Sequence, residues 1–408
     1  MLYFKKSELA ETYHVAEKTI TNWIKEAKQG KLGLELHEEH GRAWIRNTTK
    51  NITLMDGLVE GRKKFRNSRG VKVISPTPDF YKYYNQEQIF DITSNLDIRR
   101  EIPFQYGYFD GGANYWDKYA KRLADENAPN NLTSARLLLQ TNQGYIDHLI
   151  RQYKHVNVFD IGPGNAMPVE EFLRHLHDNK KLARYVALDV SPTMLKIAER
   201  NVRDWFNDNI PTDTHEVDIS YDRFTHLLRG YAIGQSAEDT INIICVLGST
   251  LSNFRNPDGA LQAIHDSVNR NDLLLYTLKL DSEASRRYFD FDTVRNIPTL
   301  DVKSKMVLDM LSIDESYYDV EIGYDAKLKQ RYMRIRLKVA LTIEFEFNAG
   351  RQTLHINKNE AILVWRSWHL TAQEVIDQFQ RNDFDVLQSS LTENKEFQLT
   401  VSRVKSER

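Results

Sequence analysis

The tightest constraint on the fold is the segment Phe159-Asp160-Ile161-Gly162-Pro163-Gly164-Asn165, at the end of the apolar run Val156–Ile161. A short run of this kind suits a strand buried on both faces. Glycines just after it let the backbone turn tightly and come close to a ligand. Tyr185–Val190, Ile241–Leu247 and Leu273–Leu278 are further short apolar runs, separated by helical stretches such as Pro168–His177 and Pro192–Phe206. The alternation predicts an α/β fold, a doubly wound sheet of the Rossmann-like kind.

The glycine turn narrows the ligand. The lysine-containing phosphate-loop pattern is absent, and no third glycine stands where a dinucleotide fingerprint needs one. A short D-x-G-x-G suits S-adenosylmethionine, which has no pyrophosphate to cradle. Asp160, Gly162 and Gly164 are therefore candidate cofactor residues. Asp189 ends the next strand, 25 residues after Gly164, where a carboxylate accepting from ribose hydroxyls is expected. Such charged hydrogen bonds are worth roughly 1.5–3 kcal/mol each. Asp218, in His215-Glu216-Val217-Asp218-Ile219, can accept from an adenine amino group while the Ile219 backbone N–H caps a ring nitrogen. Any one of these acids alone reads as well as a helix cap or loop residue. Their positions at three strand ends predict an S-adenosylmethionine site.

Beyond residue 280 the pattern changes. Tyr317–Ile322, Arg331–Leu341 and Thr342–Phe347 are β-rich, as an antiparallel insertion would be. Ala372–Arg381 and Glu396–Val404 read as a last helix and strand returning to the core. With 41% hydrophobic and 27% charged residues, the chain can bury a large core. No apolar run approaches the ~20 residues of a membrane helix. The start, MLYFKKSELAETYH, has no apolar core or cleavage site, which argues against a secretory signal. The single cysteine, Cys245, excludes an intrachain disulfide and a cysteine-rich zinc site. A cytoplasmic protein without a metal centre is expected.

Charge is uneven: residues 1–72 carry a net +6, leaving -8 for the remainder. The basic front suits a polyanion partner or simply a solvated surface. Lys6–Tyr13 and Glu17–Gln29 read as two helices, the second with Ile20, Trp23, Ile24 and Ala27 on one side. Leu34–His37 and Arg42–Arg46 flank a glycine-containing turn, as in a hairpin. SELAETYHVAEKTITNWIKEAKQGKL followed by HGRAWI resembles the winged helix-turn-helix of the MerR and excisionase type. The resemblance implies that the second helix enters the DNA major groove, with Lys18, Thr19, Thr21, Asn22 and Lys25 towards the duplex. It also allows a homodimer on paired half-sites. Asn51–Arg69 reads as one more helix, ending in Arg62-Lys63-Lys64-Phe65-Arg66, and Val71–Phe80 as the start of a linker.

The DNA-methylating signature D/N-P-P-Y/F is missing, and Cys245 lies within an apolar run, unlike a nucleophile for cytosine. VFDIGPGNAMPVEEFLRHL, YVALDVSPTMLKIA, VLGSTLSNF, LKLDSEASRRYFDFD and FQYGYFDGGANYWD together resemble the histidine-specific Nα-methyltransferases of ergothioneine biosynthesis, over most of residues 104–404. The resemblance implies that Asn253 and Tyr288 hold a substrate carboxylate and that Tyr108 lines the transfer path. It fails at the imidazole end. Arg334 and Arg336 stand where the family has Glu and Ser, Asn130-Asn131 replace two tyrosines, and Ala166-Met167-Pro168 replace a lysine. Arginine cannot accept a hydrogen bond. The substitution disfavours histidine and favours an anionic group on the acceptor, unless Arg334 and Arg336 are solvated on an exposed strand face.

The expected layout is a winged helix-turn-helix with a following helix over 1–72 and a linker over 73–100. A substrate-binding α+β subdomain follows over 101–135 and 280–363, and a class I methyltransferase core over 136–279 and 364–408. The expected function is N-methylation of an amino acid or small anionic amine, fused to a module for double-stranded DNA. The alternative is a DNA-binding regulator that senses S-adenosylmethionine or a metabolite without turnover.

Overall fold

The computed structural model describes residues 3–13, 15–39, 41–56, 58, 71–126, 129–232, 238–248, 250–283 and 299–405. The front consists of helices Lys6–Thr12 and Glu17–Lys28, the hairpin of β1 (Leu36–Glu39) and β2 (Arg42–Ile45), and a helix over 49–56. Leu9, Ile20, Trp23, Ile24, Leu34, Ile45 and Met55 form its core. The end of the expected helix Asn51–Arg69, with its basic run, lies outside the described residues.

The expected linker over 73–100 is corrected. β3 (Val71–Ile74) is a strand, and Pro78–Tyr83 and Gln86–Arg99 are helices. Pro78 suited a helix start rather than a break, since a proline at the first turn forfeits no intrahelical hydrogen bond. Ile89, Ile92 and Leu96 are spaced for one helix face and are fully buried.

The central sheet begins with β4 (His155–Ile161), β5 (Leu182–Asp189), β6 (Thr212–Glu216), β7 (Thr240–Val246) and β8 (Leu273–Lys279). Then come the accessory strands β9 (Tyr318–Asp325), β10 (Gln330–Leu337), β11 (Ala340–Phe347), β12 (Gly350–Ile356) and β13 (Ala361–Trp368). β14 (Phe384–Leu391) and β15 (Phe397–Val404) return to the central sheet.

The central order is β14-β15-β8-β7-β4-β5-β6. β4 to β8 are parallel, and β15 runs antiparallel to both β8 and β14. This is a Rossmann-like α/β sheet with an antiparallel edge. Strand order reverses at β4, which has β5 on one side and β7 on the other, so a crevice opens there at the carboxyl ends. The sequence missed β14, because FDVLQSSL carries its polar residues on a half-buried edge.

The accessory part holds two three-stranded sheets, β13-β10-β9 and β12-β11-β3. Its core joins Phe80, Ile89, Leu96 and Tyr106 from one end of the chain to Val307, Ile335, Phe345 and Ile362 from the other. The boundary of that lobe therefore lies earlier than residue 101. Helix Asn131–Thr141 instead packs Ala135, Leu138 and Leu139 against the central sheet.

Candidate functional site

β4 delivers the glycine turn to the switch point. Gly162 and Gly164 both have left-handed backbones, with φ of +63° and +58°. Side chains fill the space a β-carbon would need. A methyl on Gly162 would stand 2.6 Å from Thr250 Cγ2, and one on Gly164 3.0 Å from Trp116 Nε1. The backbone of this loop is thus the crevice wall, open only to residues without a side chain.

Three acids stand at the ends of β4, β5 and beyond β6. Asp160 is buried and accepts from the Tyr185 hydroxyl at 3.0 Å. Burial pushes its carboxyl up to about 7, against the Tyr185 hydrogen bond and with the help of Asp189. Asp189 accepts from the Ser191 amide at 2.8 Å. Burial also pushes Asp189 up to about 7, opposed by the Ser191 and Val190 amides and helped by Asp218. Asp218 accepts from the Ser220 amide at 2.9 Å, and burial raises its carboxyl above the ordinary range. Ile219, next to it, is buried in the core on that side of the sheet.

Helix Gly111–Asp125 closes over the loop. The Asn165 amide donates to Asp117 Oδ1 at 3.0 Å, and Trp116 lies against Gly164. Just before this helix, Tyr108 is tied at both ends. Its carbonyl accepts from the Ser191 hydroxyl at 2.7 Å, and its own hydroxyl accepts from Lys303 Nζ at 2.9 Å. Lys303 also lies over the rings of Tyr108 and Trp116, 4.2 and 4.9 Å from their centroids. Burial pulls the Lys303 pKa down, while Tyr108 and Asp301 raise it, and the net shift is upward. The group is an ammonium.

Asn253 falls in the turn Leu251–Asn253 after β7. That turn is joined to the accessory sheet, since Ser252 and Ser367 hydroxyls meet at 3.3 Å and the Trp368 indole donates to the Phe254 carbonyl at 2.8 Å. Tyr288 lies outside the described residues. Arg334 and Arg336 sit on β10 and both bind Glu321 of the neighbouring β9, Arg334 Nε at 2.6 Å. Their two charges therefore share one carboxylate. Asn130 caps helix Asn131–Thr141, accepting from the Leu132 and Thr133 amides at 3.0 Å. On helix Glu17–Lys28, Lys18, Thr21, Asn22 and Lys25 are exposed and Thr19 is half-buried.

Ser191, Thr250, Trp116, Asp117 and Lys303 were not singled out from the sequence. Ser191-Pro192 carries a readable helix-cap signal, and Trp116 lay within a quoted motif. Lys303 gave none, being one of two lysines in the mixed stretch Leu300–Leu308. Among the described residues, no group of three or more His, Cys, Asp or Glu could hold a metal ion, and no helix is long and apolar enough to cross a membrane.

The donor set fits S-adenosylmethionine. A glycine turn too tight for a β-carbon follows β4, and carboxylates able to accept from hydroxyl and amino groups stand at the ends of β4 and β5 and beyond β6. A family model described as a histidine-specific, S-adenosylmethionine-dependent methyltransferase matches residues 90–404. None of the curated proteins matches the chain. Among solved structures, an S-adenosylmethionine-dependent methyltransferase from Clostridium acetobutylicum is similar at 9% identity and a TM-score of 0.41, over 72% of this chain and 99% of that one. The CcbJ methyltransferase from Streptomyces caelestis is similar at 9% identity and a TM-score of 0.38, over 74% and 99%. The PH0226 protein from Pyrococcus horikoshii is similar at 11% identity and a TM-score of 0.36, over 65% and 90%. The family match spans most of the chain and carries the assignment: the chain belongs to the family of histidine-specific, S-adenosylmethionine-dependent methyltransferases.

Proposed function

We propose that the chain N-methylates an amino acid, or a related small amine bearing an anionic group, and that histidine is not its preferred acceptor. The carrying observation is the joint between the turn Leu251–Asn253 and β13, which ties the segment after β7 to the accessory sheet and supports an acceptor site there. The family description supports an amino-acid acceptor. Arg334 and Arg336, where the family has Glu and Ser, carry two positive charges against the one negative charge of Glu321, and that net excess supports an anionic acceptor over an imidazole. Asn253 and Tyr288 are assigned to the acceptor's carboxylate and Arg334 and Arg336 to its other end. Asp160, Gly162, Gly164, Asp189, Asp218 and Ile219 are assigned to the cofactor, and Tyr108 to the edge of the transfer path. When bound, the cofactor supplies the activated methyl group, and the protein contributes positioning. Incubation with methyl-labelled S-adenosylmethionine and the twenty common amino acids tests the proposal. A labelled amino acid other than histidine is expected. Histidine as the main product, or no labelled amino acid, overturns it.

A second role is proposed for the front, which binds double-stranded DNA, as a homodimer where half-sites are paired. Lys18, Thr21, Asn22 and Lys25 share one exposed face of a helix whose other face buries Ile20, Trp23 and Ile24. Binding should weaken steeply with salt and be lost on removing residues 1–56, which spares β3. Binding that survives the removal overturns this role. Cofactor binding without product across broad metabolite pools would instead favour the non-catalytic regulator.

A further inference from the structure

We propose that Lys303, together with the Tyr108 hydroxyl, anchors the methionyl α-carboxylate of S-adenosylmethionine. The Lys303 side chain is only 12% exposed, yet its closest carboxylate oxygen among the described residues, Asp301 Oδ2, is 4.0 Å away. A buried ammonium is costly unless an anion hydrogen-bonds to it. Lysine has three donors, and one is spent on the Tyr108 hydroxyl at 2.9 Å. With that lone pair taken, the Tyr108 hydroxyl still has its own proton to donate. The two donor atoms stand 2.9 Å apart, a spacing that suits the two oxygens of one carboxylate.

The location selects which carboxylate. Lys303 lies on the Trp116 ring, and Trp116 lies against Gly164, so the pair flanks the cofactor loop. The loop itself brings no cation, because Ala166-Met167-Pro168 follow Asn165. The far side of the crevice is acidic through Asp160, Asp189 and Asp218. It suits the cofactor's hydroxyls and its positive sulfonium and ammonium, and leaves the carboxylate to be met on the loop's flank. Lys303 is the complementary pole.

Calorimetry with S-adenosylmethionine and decarboxylated S-adenosylmethionine tests this on the full chain. The wild type should bind S-adenosylmethionine at least tenfold more tightly than the decarboxylated compound. Lys303→Met should lose at least tenfold for S-adenosylmethionine and stay within threefold for the decarboxylated compound. Tyr108→Phe removes one oxygen and should show the same selective loss in smaller degree, which decides the matter should Lys303→Met fail to fold. A wild type without preference, variants that keep it, or equal losses for both compounds overturn the proposal. Retained discrimination would leave Lys303 to an acceptor's carboxylate instead.

Discussion

The Ser191 hydroxyl donates to the Tyr108 carbonyl at 2.7 Å while the Ser191 amide donates to Asp189 at 2.8 Å. One residue thus ties Asp189, the carboxylate proposed for the cofactor's ribose, to the segment before helix Gly111–Asp125. The same hydroxyl accepts from the Met194 amide and caps helix Pro192–Phe206. Losing such a cap costs about 1 kcal/mol. Ser191→Ala should lower stability by about 1–2 kcal/mol and weaken S-adenosylmethionine binding several-fold. Ser191→Thr should restore most of both. Urea melts and calorimetry measure the two effects, and unchanged binding in Ser191→Ala would break the link.

The raised acids make a pH prediction. In the proposed site Asp189 must be ionised to accept hydrogen bonds from both ribose hydroxyls, and burial pushes its carboxyl up to about 7. S-adenosylmethionine affinity should therefore fall about tenfold from pH 8 to pH 6. Asp189→Ala should weaken binding at least tenfold at pH 8, since it removes charged hydrogen bonds of roughly 1.5–3 kcal/mol each, and should flatten the pH profile. Stability without cofactor runs the other way. Native Asp160 holds its proton up to about 7, whereas an unfolded aspartate releases it near 3.8. The unfolded state binds fewer protons in that window, so the Asp160 contribution to stability declines as pH rises from about 4 through 7. The difference in Tm between pH 5.5 and pH 8 should shrink in Asp160→Asn.

Gly162 is excluded from substitution by contact as well as by φ. Gly162→Ala places its β-carbon 2.6 Å from Thr250 Cγ2. It should reduce both stability and cofactor affinity, the left-handed backbone alone costing about 1–2 kcal/mol. Adding Thr250→Ser removes the clashing methyl and should recover part of the loss. A double variant no better than Gly162→Ala would mean that only backbone strain matters.

Arg334 and Arg336 are half-exposed and share Glu321. Surface pairs contribute roughly 0–1 kcal/mol. Arg334→Met and Arg336→Met should each shift stability by no more than about that, with S-adenosylmethionine affinity unchanged. Loss of cofactor affinity in either would place β10 nearer the crevice than its pairing with β9 implies.

What was legible in the sequence follows from how each residue earns its place. β4, β5, β7 and β8 are largely buried on both faces, so each shows as a short, mostly apolar run broken only by single polar residues such as Asn157 and Asn242. The place of Asp189 at the end of β5 was legible because the apolar run Tyr185–Val190 marks the strand and its carboxyl end. The carboxylate shared by Arg334 and Arg336 could not, because Glu321 reaches them through the register of β9 on β10 rather than through proximity in sequence. Lys303 was silent for the same reason: only the fold brings it to Tyr108. The prolines before residue 79 suggested a linker, although Pro78 starts a helix and Ile89, Ile92 and Leu96 already carried a helical spacing.

The parallel pairing of Val71 with Ala340 sets an order of assembly. A strand made early on the ribosome waits for a partner made late. Until β11 emerges, β3 keeps an open edge, and Ile89, Ile92 and Leu96 lack the sheets that cover them in the finished lobe. β4 to β7 meet no such delay, since their neighbours all lie between β4 and β8, whereas β8 itself waits for β15. The strands around the cofactor crevice can therefore pair before the accessory lobe closes. Any chain cut before Phe347 is left with an apolar half-lobe, a target for chaperones and proteases.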